Sequence, residues 1–208
     1  MDNSSENKQN GGTAVNPFDL SYDWGPSNAD RRHRWVTSVL WEIPGQFDNP
    51  IANAVLADWN LTGIYTIMSG LPFTVSSGVD NARSGTGGQF ADRIGDPELP
   101  SDRDKSARLA QWFNTSAYVV NALGTFGNSG RNSLRGPDYQ TLDLGLHKTF
   151  VITNRVRAQF RLEAFNALNH ANFNNPEGNR SSGNFGRITS LAPGAEPRIL
   201  QVALRTWF

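Results

Sequence analysis

Cysteine is absent from the 208 residues, which excludes disulfides and thiolate metal sites. A surplus of either charge is missing too: 19 Lys and Arg stand against 19 Asp and Glu. A nucleic-acid footprint needs a basic surplus, so no nucleic-acid partner is expected. Histidine is scarce, and His33, His147 and His170 lie far apart, with no helical pair and no HExxH. His33 sits among Arg31, Arg32 and Arg34, a poor place for a cation. No metal and no cofactor is expected. No apolar run approaches the roughly 18 residues of a transmembrane helix. The opening "MDNSSENKQNGG" has no cationic n-region and no apolar h-region, so it is not a signal peptide. Taken alone, that points to the cytoplasm; the alternative is a fragment whose Met1 is not the natural start. A GxSxG elbow is missing, and no convergent acid/base pair is evident. No catalytic residue is assigned, and an enzyme is not expected.

What is present is glycine in number, 20 residues, with 6 tryptophans and frequent asparagine. The hydrophobic fraction of 38% is low for a large soluble core. It suits a sheet with half its side chains in water. The stretch "RVRAQFRLEAFNAL" shows such a pattern. Val156, Ala158, Phe160, Leu162 and Ala164 alternate with Arg157, Gln159, Arg161 and Glu163, and period 2 means a strand. A soluble sheet would bury the apolar face, whereas a membrane barrel would turn it to lipid and the charged face to its lumen.

Residues 1–30 read as polar loop. Strands are expected in "RHRWVTSVLWEI" and "WNLTGIYTIMSG", separated by a break with one short helical turn. Trp59, Leu61, Tyr65 and Ile67 share a face opposite Asn60, Thr62 and Thr66. Residues 70–137 lose regularity apart from a weakly helical "DRDKSARLAQWF", and a structureless loop of this length usually means function or disorder. "YQTLDLGLHKTF" alternates again and runs through the tight turn "VITNR" into the strand quoted above, which predicts a hairpin. A second loop, 169–196, precedes the last strand, where Leu200, Val202, Leu204, Thr206 and Phe208 share one face. One very short joint among long ones is a trait of transmembrane barrels, whereas a sandwich tends to evenly spaced strands, and the pattern alone leaves both open.

Other motifs have plain explanations. Ser84–Gly88, "SGTGG", lacks P-loop spacing and reads as a flexible loop. Asp96, Glu98, Asp102 and Asp104 could offer oxygen to calcium, but Arg103 and Lys105 offset their charge and the pattern is not an EF-hand. A solvated loop is expected. Of Trp24, Trp35, Trp41, Trp59, Trp112 and Trp207, four lie at or near strand ends, where an interface belt would put them. Trp112, inside the long loop, is the ligand candidate.

"RRHRWVTSVLWEIP", "WNLTGIYTIMSGLPFTV", "GNSGRNSLRGPDYQTLDLGLHKTF", "RVRAQFRLEAFNALNHANF", "NFGRITS" and "PRILQVALRTWF" together resemble the carboxy-terminal part of TonB-dependent outer-membrane receptors. The closest branch carries a carboxypeptidase-regulatory-like amino-terminal domain. The resemblance covers about residues 17–208 in order, and "GNSGRN-LRGP" and "EAFNALNHANF" are its most specific blocks.

It implies an all-β, antiparallel transmembrane β-barrel segment over 31–208, an incomplete barrel with long external loops in a bacterial outer membrane. The segment would supply about 5–7 strands of a barrel similar to the roughly 22-stranded transporters. Arg157, Gln159, Arg161 and Glu163 would face the lumen. The strand Leu200–Phe208 would close the barrel and serve its assembly. If Phe208 lies on the periplasmic side, the "VITNR" turn does too, and loops 70–137 and 169–196 face outside. Partners implied are outer-membrane lipid, the rest of the receptor barrel and plug, and the barrel-assembly machinery. TonB would act only through amino-terminal parts missing here: there is no plug and no TonB box. The role implied is nutrient uptake, not performed by this chain alone. The rival is a secreted soluble β-sandwich binding module, with carbohydrate as its ligand class.

The two separate by solubility. An incomplete barrel has unpaired strand edges and an apolar face needing lipid, so the chain made alone without detergent should aggregate. A sharp monomeric peak in plain buffer with a cooperative melt would favour the sandwich.

Overall fold

The computed structural model describes residues 14–85 and 88–208. Nine strands run in chain order: β1 (Arg34–Ile43), β2 (Trp59–Met68), β3 (Pro72–Phe73), β4 (Asp92–Arg93), β5 (Tyr118–Val119), β6 (Leu134–Arg135), β7 (Tyr139–Val151), β8 (Arg157–Phe165) and β9 (Ile199–Trp207). Two short helices, α1 (Pro50–Leu56) and α2 (Lys105–Ala110), interrupt them. No helix among the described residues is long and apolar enough to cross a membrane. The fold is all-β and antiparallel.

The chain divides into two compact units. One holds 33–68, 139–172 and 194–208, and is a single five-stranded sheet in the order β1-β2-β7-β8-β9. β7 and β8 form the expected hairpin, joined through residues 152–156, where Thr153 Oγ1 accepts from the Val156 amide at 3.0 Å. β1 and β9 are the edges of the sheet as described. Register places the start of β1, the end of β2, the start of β7, the end of β8 and the start of β9 at one end of the sheet. The connections 69–138 and 166–198 leave from that end. The shorter joints, 44–58 and 152–156, lie at the other, as does Trp207.

The second unit holds residues up to 32, 69–138 and 173–193, of which 1–13 and 86–87 fall outside the described residues. The amino-terminal part of the expected 1–30 loop and the middle of the Ser84–Gly88 loop therefore lie outside the described residues. The described part of 70–137 is not structureless. Phe73, Val75, Ala91, Phe113, Ala117 and Tyr118 form a buried cluster, with Trp112, Leu134 and Phe185 packed against it. Phe113 meets Tyr118 and Phe185 edge to face, at centroid distances of 5.7 and 5.2 Å. Two small ladders, β3 with β6 and β4 with β5, hold the segment together.

The rest of the order comes from side chains that bond backbone, the property that makes Asn and Ser turn-formers. Asn132, in the left-handed region at φ 52°, donates to the Pro26 carbonyl at 2.7 Å. Ser129 Oγ donates to the Val75 carbonyl at 2.8 Å. Gly127 is required by close approach: a Cβ there would come within 2.0 Å of the Phe90 carbonyl oxygen. These residues belong to "GNSGRN-LRGP", so that block fixes loop geometry. Burial pushes the Asp23 carboxyl above its ordinary range, against the Val15 amide it accepts from at 2.9 Å and the charge of Arg131. The folded state thus holds that proton more tightly than the unfolded chain, and this contribution weakens as pH rises through the raised value.

Phe113→Ala should cost the loop unit about 3–5 kcal/mol, the usual range for truncating a buried Phe. Hydrogen exchange at the Ala91 and Ala117 amides should accelerate accordingly. Leu123→Ala, at a site 66% exposed, should change exchange by no more than about 0.5 kcal/mol. Equal protection in the two variants would contradict the core assignment.

Candidate functional site

Antiparallel pairing sorts the sheet's side chains into rows across the strands. On one face, Val39, Gly63, Leu144, Ala164 and Leu200 form one row, and Trp41, Leu61, Leu146, Leu162 and Val202 the next. Toward the short-joint end come Ile43 beside Trp59, then Lys148, Phe160 and Leu204, then Phe150, Ala158 and Thr206. At the opposite end stand Trp35 beside Ile67, and Thr37, Tyr65 and Leu142. Apart from Trp41, aliphatic residues and small ones thus fill the middle, and the other aromatic rings lie toward the ends. The face is open: Trp35 is 66% exposed, Val202 66% and Leu204 70%. So large an uncovered apolar surface needs an apolar partner.

The opposite face carries Thr62, Gly145, Glu163 and Gln201 in one row, and Glu42, Asn60, His147 and Arg161 in the next. Thr149, Gln159 and Arg205 follow, then Arg157 beside Trp207. Arg161 and Glu163 are joined by an ion pair at 2.6 Å. Gln159 donates to Thr149 Oγ1 at 3.4 Å, and the Arg205 guanidinium lies 4.9 Å from the Trp207 ring. Gly145 gives this face room, because a Cβ would stand 2.6 Å from Thr62 Oγ1. Toward β1 polarity weakens, with Val36, Leu40 and Ile64 on the same side. The structure therefore puts Arg157, Gln159, Arg161 and Glu163 together on the polar face. Leu200, Val202, Leu204 and Thr206 lie on the apolar one, and Phe208, just beyond β9, is 94% exposed.

A sheet with an open apolar face on one side and a charged pair on the other suits a membrane wall. The chain matches the family model described as outer membrane beta barrel domain over residues 1–201. It belongs to that family. It is an outer-membrane protein, and its apolar sheet face is the one suited to lipid. A search of curated proteins and one of solved structures gave no match. Membership sets aside the β-sandwich.

The remaining candidates of this barrel protein lie in its loop unit. Trp112 packs on the loop core and donates Nε1–H to the Arg135 carbonyl at 2.8 Å, with the Arg108 guanidinium 5.2 Å from its ring. Asp96 accepts the Glu98 amide at 3.1 Å, and no group of three or more metal-capable side chains gathers among the described residues.

Two features escaped the sequence patterns. Asn166, at φ 47°, donates to the carbonyls of His170 and Glu196, both at 2.9 Å, and its own amide donates to Asp143 at 2.8 Å. Asn172 exchanges bonds of 2.8 and 2.9 Å with the Gln140 backbone. The block "EAFNALNHANF" is thus the clasp that leads the chain out of β8. The second feature is Lys148, a buried cation on the apolar face. The strict alternation of "LDLGLHKTF" contains its signal, since position 148 shares parity with Leu142, Leu144 and Leu146.

Leu162→Arg and Gln201→Arg should part company. Leu162 sits in the aliphatic middle row, where an Arg facing lipid costs about 2–4 kcal/mol. Gln201 lies directly opposite Glu163, and an Arg there gains a partner of opposite charge. The folded, heat-modifiable band of outer-membrane fractions should fall for Leu162→Arg and persist for Gln201→Arg. Equal loss would contradict the face assignment.

Proposed function

We propose that this outer-membrane barrel protein forms wall and external loops of a TonB-dependent receptor that imports a scarce nutrient. The observation that carries this reading is the asymmetry of the connections. Short joints and Trp207 occupy one end of the sheet, and the long connections 69–138 and 166–198 leave from the other. Barrels place short turns on the periplasmic side and longer loops outside. A loop region with its own aromatic core suits capture of a solute. The resemblance of "GNSGRN-LRGP" and "EAFNALNHANF" supports the receptor branch in particular.

Under this reading the apolar face meets outer-membrane lipid, and Arg157, Gln159, Arg161 and Glu163 line a wet lumen. Backbone groups on the edges of β1 and β9 have no water to bond inside a bilayer, so further barrel strands must pair them. The assembly machinery would engage the β9 strand. Energy would reach the protein through a plug and TonB box supplied by other sequence, so residues 1–208 alone would not transport. The role is transport, not catalysis.

The test compares uptake of iron chelates, vitamins, glycans and peptides in cells with and without the gene, each with and without a working TonB complex. Loss of the gene should abolish uptake of one solute class only where the TonB complex works. A fragment expressing residues 1–208 alone should restore none of it. Uptake indifferent to the TonB complex, rising in proportion to solute concentration, would mark a passive pore and contradict the proposal.

A further inference from the structure

The joint between β1 and β2 is short in span but is not a simple turn. Residues 44–58 fold into the helix α1, with the Asn49 side chain accepting from the Ile51 and Ala52 amides at 2.9 and 3.2 Å. The Phe47 amide donates to Asn53 Oδ1 at 3.1 Å, which folds the incoming chain against the helix. Asp58, at φ 57°, turns the chain out into β2. No charged side chain lies between Asp48 and Asp58. Its ends expose Gln46, Asp48, Asn49 and Asp58, but the helix itself shows apolar side chains: Ile51 is 76% exposed, Val55 50% and Leu56 54%, with Phe47 before it at 42%.

Two side-chain bonds fasten the segment, and both donors stand on the apolar sheet face. Trp59 Nε1–H donates to the Val55 carbonyl at 3.0 Å. The Lys148 ammonium donates to the Ala57 carbonyl and lies 5.4 Å from the Phe150 ring and 6.0 Å from that of Trp59. Lys148 is only 3% exposed, and Ala57 1%. A cation among aromatic rings on a lipid-facing surface is costly unless it reaches polar atoms, and long side chains near a membrane boundary do so by reaching toward the interface. Here the segment's terminal carbonyl is that polar atom. The helix is thereby tied to the side of the wall that meets lipid, at its aromatic border.

We propose that α1 is an interfacial anchor: at the short-joint end of the barrel it inserts Ile51, Val55, Leu56 and Phe47 among phospholipid acyl chains, with Lys148 fastening it to the wall. Its apolar side chains continue the lipid-facing surface of Trp41, Ile43 and Trp59. Helices of this kind sit about 5–10 Å into the headgroup and acyl boundary. The inference rests on the lipid-facing assignment of the sheet and is independent of nutrient or TonB coupling.

Residues 1–208 hold no cysteine to compete for label, and any cysteine elsewhere in the full-length protein is first replaced by serine. Ile51→Cys, Val55→Cys, Val202→Cys and Asp102→Cys are made singly in the natural full-length protein and labelled with a small fluorophore. The proteins are reconstituted into phosphatidylethanolamine/phosphatidylglycerol vesicles with or without bromine on the acyl chains. Labels at 51 and 55 should lose about twofold or more of their fluorescence to brominated chains, as should the wall label at 202, while the loop label at 102 keeps its own. Lys148→Met added to Ile51→Cys should reduce quenching at 51 and leave quenching at 202 in the single variant as the reference. Labels at 51 and 55 quenched no more than the one at 102, with 202 strongly quenched, would overturn the anchor and leave the wall intact. Loss of quenching at 202 as well would overturn both.

Discussion

Everything in this wall depends on strand register. Side chains alternate with a period of 2, so a slip of one residue would carry Leu144, Leu162 and Val202 to the polar face and Glu163 and Arg161 to the apolar one. Four antiparallel ladders agree on parity across the five strands. That agreement turns five separate patterns into one surface with an aliphatic middle and aromatic borders. The Arg161–Glu163 pair and the room at Gly145 reinforce it from the polar side, and the Lys148 tether from the apolar side.

The connections divide the remaining work. At one end the chain is held by a tight hairpin and by α1, which is capped by its own asparagines. At the other end long segments leave the sheet, and the residues that steer them are polar. Asn166 and Asn172 clasp the exit from β8, and Asn132 with Ser129 organises the loop unit. Side-chain bonds to backbone replace the ladders that regular strands would provide. This explains how a chain so rich in turn-forming residues can still be ordered.

Strands were legible because alternation is a local signal. "RVRAQFRLEAFNAL", "YQTLDLGLHKTF" and the terminal strand each show it within a few residues. The loop unit was not legible, because Phe73, Val75, Ala91, Phe113, Ala117 and Tyr118 are scattered with no period and meet only in three dimensions. The packing of Trp112 on this core was hidden for the same reason: the Arg135 carbonyl it donates to is 23 residues away in sequence. Lys148 could have been found by counting parity through "LHK", but its partner, the Ala57 carbonyl, is 91 residues away in sequence.

The central claim is that the apolar face meets fluid lipid and the polar face meets water. A nitroxide scan of β8 tests it most directly, with labels placed one at a time at 157–164 in outer-membrane preparations. Positions 160, 162 and 164 should collide readily with dissolved oxygen and poorly with a water-soluble nickel chelate, and odd positions should show the reverse, while 158, buried already, serves as the shielded reference. Positions 160, 162 and 164 shielded from both reagents would mean a buried core instead of a lipid surface, and would contradict the account.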